Sequence, residues 1–380
     1  MNILKYQPSV LISAGRLGRG GIQTHLSLLC KILRQAKAEV VISATGSDWS
    51  RSEIAEIQDE GVKFLTPPNL LLNSRPVSMI HSLLTAPFHS KQRFTSLYCI
   101  STGRSHIYLR NLVSPETVSI YHEIVSTPMV ESLGWRCAES LDVVIANSEK
   151  VAQGMVELCS TKPIGIIPFL TSDKPMPSPL QRPECGEREL RVVYLGRIVE
   201  HKRPNQLVKE WKNITALKPL SPARLDVYGF DPGGSLLSEL RQFVVDHHLS
   251  DRICLHGNYA VSQLPEILAQ ADVVVLPSLF EGLPLVLVEA MQRGIPIVAT
   301  AAGGTKEFGK DNPDVVITEL EWDAFVTGLL AMSQKLRLGQ INSHRLHQWT
   351  ESRYGYTVVA AKWQDALLQP QKFFHKNIYK

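Results

Sequence analysis

Short β-branched runs, each followed by an amphipathic stretch, recur in two successive trains along this chain, and that alternation leaves few folds open. In the first train the candidate strands are Val10–Ala14, Val40–Ala44, Lys63–Thr66, Leu97–Ser101, Thr117–Tyr121, Val143–Asn147 and Ile164–Pro168. Strands that alternate with helices pair in parallel and are covered on both faces, so they read as near-continuous apolar runs. Between the trains stands KPMPSPLQRP, residues 174–183, with four prolines. Proline donates no amide hydrogen and fixes φ, which rules out a central strand or helix interior and marks a linker. The second train runs Arg191–Leu195, Arg224–Tyr228, Ile253–His256, Asp272–Leu276, Pro296–Ala299 and Val315–Thr318. Helical patterns such as Pro204–Leu217, Ser235–His247 and Leu285–Arg293 separate these strands. A chain of 380 residues exceeds one ordinary core and suits two. The expected fold class is α/β, with two Rossmann-like domains facing a central cleft. The expected divisions are 1–171, a Pro-rich linker at 172–190, 191–350, and a helical segment at 351–380 that crosses back to the N-terminal domain.

In open parallel sheets ligands sit beyond the carboxyl ends of the strands, so the strand-to-helix junctions carry the search for chemistry. The sharpest is DVVVLPSLFEGLPLVLVEAMQRGIPIVATAAGG, residues 272–304. A buried strand ends at Leu276, a loop covers Pro277–Pro284, and a helix starts near Leu285. Such a start leaves backbone N–H groups free to hold an anion. Glu281 in the loop and Glu289 about one turn inside the helix are acceptors suited to sugar hydroxyls. Alone, Glu281 reads equally well as a solvated loop residue, and Glu289 as a charge complementing the helix dipole. A second junction, VVYLGRIVEHKRPNQLV at 192–208, places Arg197 and Lys202 just after a strand end. Two cations there can neutralise a diphosphate, or simply make a solvated basic loop; Arg203 beside them reads as the latter. A third junction, SAGRLGRGGIQTHL at 13–26, misses the dinucleotide fingerprint because Gln23 occupies its third glycine position. Gly20 and Gly21 still allow a backbone to approach a ligand closely, whereas His25 taken alone reads as a packed or surface histidine. Finally, IYHE at 120–123 puts His122 at a sheet's carboxyl edge, a polar contact for a sugar hydroxyl or a phosphate. Asn147 and Ser148 close the next long strand in the same manner.

A net charge of +4 is too mild to argue for nucleic acid, and none is expected as a partner. Its distribution says more. From Gly61 to Pro115 there is no Asp or Glu, while Lys63, Arg75, Lys91, Arg93, Arg104 and Arg110 all fall inside. This reads either as a surface for an anionic membrane or a phosphate- or lipid-bearing acceptor, or as an ordinary solvated basic face. Cysteines at 30, 99, 137, 159, 185 and 254 form no CxxC pair, which implies a reduced, cytosolic compartment. The hydrophobic run near Met1 is too short for a signal peptide, and no segment approaches the ~20 apolar residues of a membrane span. The expected location is the cytoplasm, at the inner face of the membrane if the basic surface touches it. No D-x-D pair, Walker A sequence, G-x-S-x-G elbow or H-E-x-x-H occurs, so neither metal nor cofactor is expected.

Taken together, Glu281 and Glu289 at an E-x7-E spacing, Gly196-Arg197 with Lys202 downstream, Gly20-Gly21 with His25, and GGTKE at 303–307 resemble family 4 glycosyltransferases of the GT-B fold. The motifs stand in the same order, and the resemblance covers nearly the whole chain. It implies a retaining transfer, without metal, from a nucleotide-diphosphate sugar to a glycan or lipid-linked acceptor in cell-surface polysaccharide or glycoconjugate synthesis. The N-terminal domain would meet the acceptor and the C-terminal domain the donor. By position, the resemblance gives Arg197 and Lys202 the diphosphate, Glu289 the ribose hydroxyls and Glu281 the donor sugar. The backbone of Gly282, Leu283, Leu285 and Val286 would lie close to sugar and phosphates. His122 would lie over the sugar and Gly21 would face the diphosphate. IIPFL at 166–170 and DVYGFDPGG at 226–234 depart from the family's usual P-N-G and G-x-G segments, which leaves the nucleobase unassigned. A sugar-nucleotide epimerase or hydrolase, or a non-catalytic sugar-nucleotide-binding protein, is the alternative on the same fold. Product analysis with and without an acceptor separates the enzymes, and loss of Arg197, Lys202 or Glu281 would have marked a sensor; all three are present.

Overall fold

Both trains of strands form parallel sheets in the structure, a computed structural model that describes residues 7–14, 17, 20–44, 46–47, 49–65, 93–100, 104–124, 134–159, 161–179 and 185–379. The chain divides into two compact units, one of residues 1–175 with 354–380, the other of residues 176–353.

The first unit is built on β1 (Ser9–Ala14), β2 (Glu39–Ala44), β3 (Lys63–Phe64), β4 (Ser96–Ile100), β5 (Val118–Glu123), β6 (Val143–Ala146) and β7 (Ile164–Ile166), in the order β3-β2-β1-β4-β5-β6-β7. Helices α1 (Gly21–Gln35), α2 (Arg51–Asp59), α3 (Arg104–Leu112), α4 (Gly134–Ser140) and α5 (Glu149–Leu158) connect them. Gly20 precedes α1 at φ 91°, a left-handed backbone that only glycine adopts freely, and both it and Gly21 are exposed. Ser50 and Glu53 close a capping box on α2. Ser148 caps α5 by accepting from the Val151 N–H, a structural task for a residue that the sequence left as a candidate contact. β5 extends two residues past its expected end, so His122 lies inside the ladder, paired with Ile100 and Ile145.

The acid-free stretch is less cationic than its sequence reads. Lys63 pairs with Glu39 at 2.7 Å, Arg110 with Asp142 at 3.2 Å, and Arg93 with Glu116, each carboxylate coming from outside the stretch. Arg75 and Lys91, the other candidates for a basic surface, lie outside the described residues, as does the side chain of Arg104. No helix among the described residues is long and apolar enough to cross a membrane.

The second unit carries β8 (Leu190–Leu195), β9 (Ala223–Tyr228), β10 (Ile253–Gly257), β11 (Val273–Leu276), β12 (Ile297–Thr300) and β13 (Val316–Thr318), ordered β10-β9-β8-β11-β12-β13. Helices α6 (Pro204–Thr215), α7 (Leu236–Asp246), α8 (Leu264–Gln270), α9 (Leu285–Gln292), α10 (Trp322–Arg337) and α11 (Ser343–Tyr354) belong to it. The chain then contributes α12 (Tyr356–Leu368) and α13 (Pro370–Lys376) to the first unit. There Trp363, fully buried, donates from Nε1 to the Pro168 carbonyl at 2.8 Å, and Ser96 Oγ donates to the Leu367 carbonyl at 2.8 Å.

Each sheet reverses its order of growth once, between β1 and β4 in the first unit and between β8 and β11 in the second. At such a point the connections leave to opposite faces and open a crevice beyond the strand ends.

Candidate functional site

The two loops that carry most of the candidate residues leave the two strands flanking the reversal point of the second sheet. β8 ends at Leu195 and runs into Gly196 and Arg197; β11 ends at Leu276 and runs into the loop of Glu281. Lys202 ends a short 3-10 turn, Glu200–Lys202, and the left-handed Arg203 at φ 52° starts α6 with Pro204 in its first position. The reading of Arg203 as solvated is corrected here: it is 8% exposed and donates to the Leu320 carbonyl. Burial forced by the turn, and the waiting carbonyl, decide its environment.

Sequence positions 79 apart meet at the centre of the site. Lys202 Nζ donates to Glu281 Oε1 at 2.6 Å, with the two side chains 13% and 9% exposed. Ser278 Oγ, fully buried, donates to the same oxygen at 2.7 Å. Backbone contacts hold the loops together: Leu279 N–H to the His201 carbonyl and Gly304 N–H to the Gly282 carbonyl, both 2.7 Å. Thr300 Oγ1 donates to the Ser278 carbonyl, so β12 supports the loop from below. An ion pair this sheltered leaves the lysine with further N–H donors, since an ammonium carries three. At the start of α9, Pro284 occupies the capping position and no side chain caps the turn. The amides of Leu285 and Val286 therefore open the helix beside Gly282 and Leu283.

Electrostatics join the remaining groups to this pair. The His201 imidazole is held below its ordinary range by burial, then by Lys202 and Arg197, against an opposing pull from Glu281. Burial raises the Tyr194 phenol far above its usual value, with Glu281 adding to the rise and Arg197 opposing it. Its hydroxyl donates to the Arg197 carbonyl at 2.9 Å and so fixes the backbone that presents the guanidinium. Tyr259 feels Glu289, which burial pushes up to about 7 against the countering charge of Arg293. Tyr194, Ser278 and Tyr259 were not singled out from sequence. Each reads there as an ordinary strand or loop residue, and only its partner, three residues on for Tyr194 and Ser278 and on α9 for Tyr259, gives it a task.

Gly21 and His122 belong to the first unit. Gly21 opens α1. His122 is fully buried, and its Nδ1 lies 2.6 Å from the Tyr98 hydroxyl. Its Nε2 has no partner among the described residues, nor does Asn147 Oδ1, while Asn147 Nδ2 donates to the Ile124 carbonyl at 3.0 Å. His25 is the packed histidine that its setting allowed, stacked on Phe169 at 4.4 Å.

One group among the described residues brings metal-ligand atoms together. Asp226 on β9 and Cys254 and His256 on β10 place such atoms within 4.8 Å of one another. The carboxylate there is already engaged by Arg224 Nε at 3.4 Å and His256 Nε2 at 2.8 Å, so a cation occupies its field without a metal.

Residues 181–337 match the family described as glycosyl transferases, group 1, a span that takes in most of the second unit. A Mycobacterium tuberculosis relative, a GDP-mannose-dependent alpha-(1-6)-phosphatidylinositol monomannoside mannosyltransferase, is 28% identical over 218 residues, 53% of this chain and 54% of that protein. An Escherichia coli UDP-Gal:alpha-D-GlcNAc-diphosphoundecaprenol alpha-1,3-galactosyltransferase is 29% identical over 141 residues, 37% of this chain and 35% of that one. The chain thus spans about half the length, or less, of these curated relatives. Among solved structures, Anabaena HepE in complex with UDP and glucose superposes with a TM-score of 0.71 at 16% identity, covering 95% of this chain and 99% of that one. The fold is the two-sheet GT-B architecture expected from the sequence.

Proposed function

We propose that this chain is a retaining glycosyltransferase that moves a sugar from a nucleotide-diphosphate donor to a glycan or lipid-linked acceptor, with no metal. The observation that carries it is the sheltered Lys202–Glu281 pair, flanked by Arg197 and the uncapped start of α9, at the reversal point of a parallel sheet. Cations and helix amides suit a diphosphate, while the carboxylate that Lys202 and Ser278 hold in place suits the hydroxyls of the sugar. Phosphate charge that grows as the glycosidic bond breaks would be met by Arg197 and Lys202, without any protein nucleophile. Glu281 already shares its proton-accepting oxygen with two donors, which favours a binding role over a nucleophilic one. The relatives named for GDP-mannose and UDP-galactose chemistry support the class of donor and of lipid-linked acceptor.

Thermal stabilisation by a panel of nucleoside diphosphates and their sugars, measured in chelator, tests the proposal. Ligand at a hundredfold excess over Kd should add about 2.7 kcal/mol for the right nucleotide. No rise for any of them would overturn it.

Glu289 makes the binding pH-dependent. Its carboxyl titrates near 7 in the folded protein against 4.5 in a model peptide. The folded state therefore holds a proton that the unfolded state lacks between these values. That contribution to stability is complete below 4.5 and disappears as pH rises through 7. Ribose hydroxyls need the ionised acceptor, so nucleotide affinity should fall below pH 7, by up to about tenfold per pH unit. Glu289→Gln should flatten that profile and make the free protein more stable at pH 8. A wild-type affinity constant from pH 5.5 to 8 would remove Glu289 from the ribose.

Contact of the acid-free stretch at 61–115 with an anionic membrane is a further part of the proposal, since Lys63, Arg75, Lys91, Arg93, Arg104 and Arg110 all fall in it. Flotation with anionic vesicles at low salt should carry the protein upward if it holds; a protein that stays at the bottom is not a membrane binder.

A further inference from the structure

Four segments far apart in sequence meet in a buried polar chain in the first unit, and its direction can be worked out donor by donor. The Leu170 backbone N–H points at His25 Nδ1 at 3.3 Å, and an amide nitrogen can only donate. His25 Nδ1 is therefore the acceptor, and the proton of this neutral ring sits on Nε2. His25 Nε2 lies 3.1 Å from the Tyr98 hydroxyl and donates to it. The Tyr98 proton then goes to His122 Nδ1 at 2.6 Å. With Nδ1 an acceptor, the His122 proton stands on Nε2, the ring nitrogen with no partner among the described residues.

Aromatic packing fixes the geometry. Phe169 stacks on His25 with rings 9° apart at 4.4 Å and meets His122 edge-on at 5.1 Å. Trp363 touches all three members, 4.7 Å from His25, 5.3 Å from Tyr98 and 5.2 Å from His122. His25, Tyr98, His122 and Trp363 are each fully buried. Burial holds His25 down at about 3 and His122 well below the ordinary imidazole range, so both rings are neutral at physiological pH.

We propose that His25 and Tyr98 are positioning residues that fix His122 as the Nε2–H tautomer, so that His122 meets its ligand as a neutral hydrogen-bond donor and not as a base. The inference rests on the proposed transfer and on the place over the donor sugar that the family resemblance gives His122, and it narrows that role. The group facing Nε2 must offer an acceptor, a sugar hydroxyl or phosphate oxygen. The proton of the attacking acceptor hydroxyl then goes to a phosphate oxygen of the departing diphosphate, because Nε2 has no lone pair to take it.

Long-range proton–nitrogen spectra of the full chain labelled with [15N]histidine test this without reference to turnover, the His122 signals being those lost in His122→Asn. The expected pattern is a pyrrole-type Nε2 and a pyridine-type Nδ1. Tyr98→Phe keeps the ring volume and removes the donor, and should move His122 toward a mixture of tautomers. In the same variant, donor turnover should fall about tenfold with KM nearly unchanged, the loss of one positioned polar contact. A protonated Nδ1 in the wild type overturns the proposal, as does an unchanged pattern in Tyr98→Phe. Should that variant not fold, the wild-type spectrum decides alone. Absence of nucleotide-sugar turnover in the wild type would instead defeat the proposed function, with the tautomer still read from the spectrum.

Discussion

Lys202→Ala should lower turnover by roughly a hundredfold to a thousandfold, the range for removing a positioned electrostatic group. Two losses combine in it. The diphosphate forfeits a cation, and Glu281, 9% exposed, is left without its 2.6 Å counter-ion. With the ammonium gone, Ser278 Oγ still donates to Glu281 Oε1, but the cation that fixes the carboxylate toward the sugar is lost. Glu281→Gln should therefore be slow as well, and the double variant should be little slower than Lys202→Ala, because groups acting as a unit do not add. Steady-state kinetics on the three proteins checks this. Wild-type rates in Lys202→Ala, or strictly additive losses, would take the pair out of the chemistry. Melting curves should show the double variant recovering stability over Lys202→Ala, since it no longer holds a sheltered carboxylate that has lost its cation.

Gly229→Ala should be nearly as damaging by a different route. Gly229 lies where three segments of the second unit are stitched together. Its N–H donates to the Gly257 carbonyl at 2.7 Å, while Gly196 N–H donates to Tyr228 at 3.1 Å and Ile198 N–H to Phe230 at 2.8 Å. A Cβ there would stand 1.8 Å from the Gly196 carbonyl oxygen and 3.1 Å from Ile198 Cδ1. Backbone must give way, at about 2–4 kcal/mol of stability. The part that moves is the one that presents Arg197, so diphosphate binding should weaken even at temperatures where the variant stays folded. Calorimetry with nucleoside diphosphate, run beside a melting curve, separates the two effects. An unchanged melting temperature would mean that the close approach relaxes without cost.

Sequence periodicity located the strands because parallel strands covered on both faces must be apolar throughout, and such runs stand out between polar helical stretches. Motif spacing brought Arg197, Lys202, Glu281 and Glu289 forward because strand-to-helix junctions are where a parallel sheet exposes its ends. What periodicity misses is partnership. Nothing in PSLFEG says that Ser278 turns back onto Glu281, and nothing in VVYLG says that the Tyr194 hydroxyl holds the Arg197 carbonyl. The polar chain through His25 and Tyr98 is further from view, because its members come from α1, β4 and β5 and are closed over by Trp363 from α12. His122 itself read as an edge residue. Two more residues of ladder pairing in β5 take it inside, where burial rather than solvent sets its protonation. Arg203 failed for the opposite reason: a basic loop residue is usually solvated, but a left-handed turn tucks this one against Leu320.

The placement of α12 in the first unit bears on how the protein is made. Residues 176–353 form their unit as one uninterrupted stretch. The first unit, although its sheet is synthesised earlier, lacks Trp363 and the carbonyl of Leu367 until residues 356–368 have left the ribosome. Vectorial synthesis would thus finish the later unit before the earlier one, and the nascent sheet must wait with the Phe169 and Tyr98 side of its core uncovered.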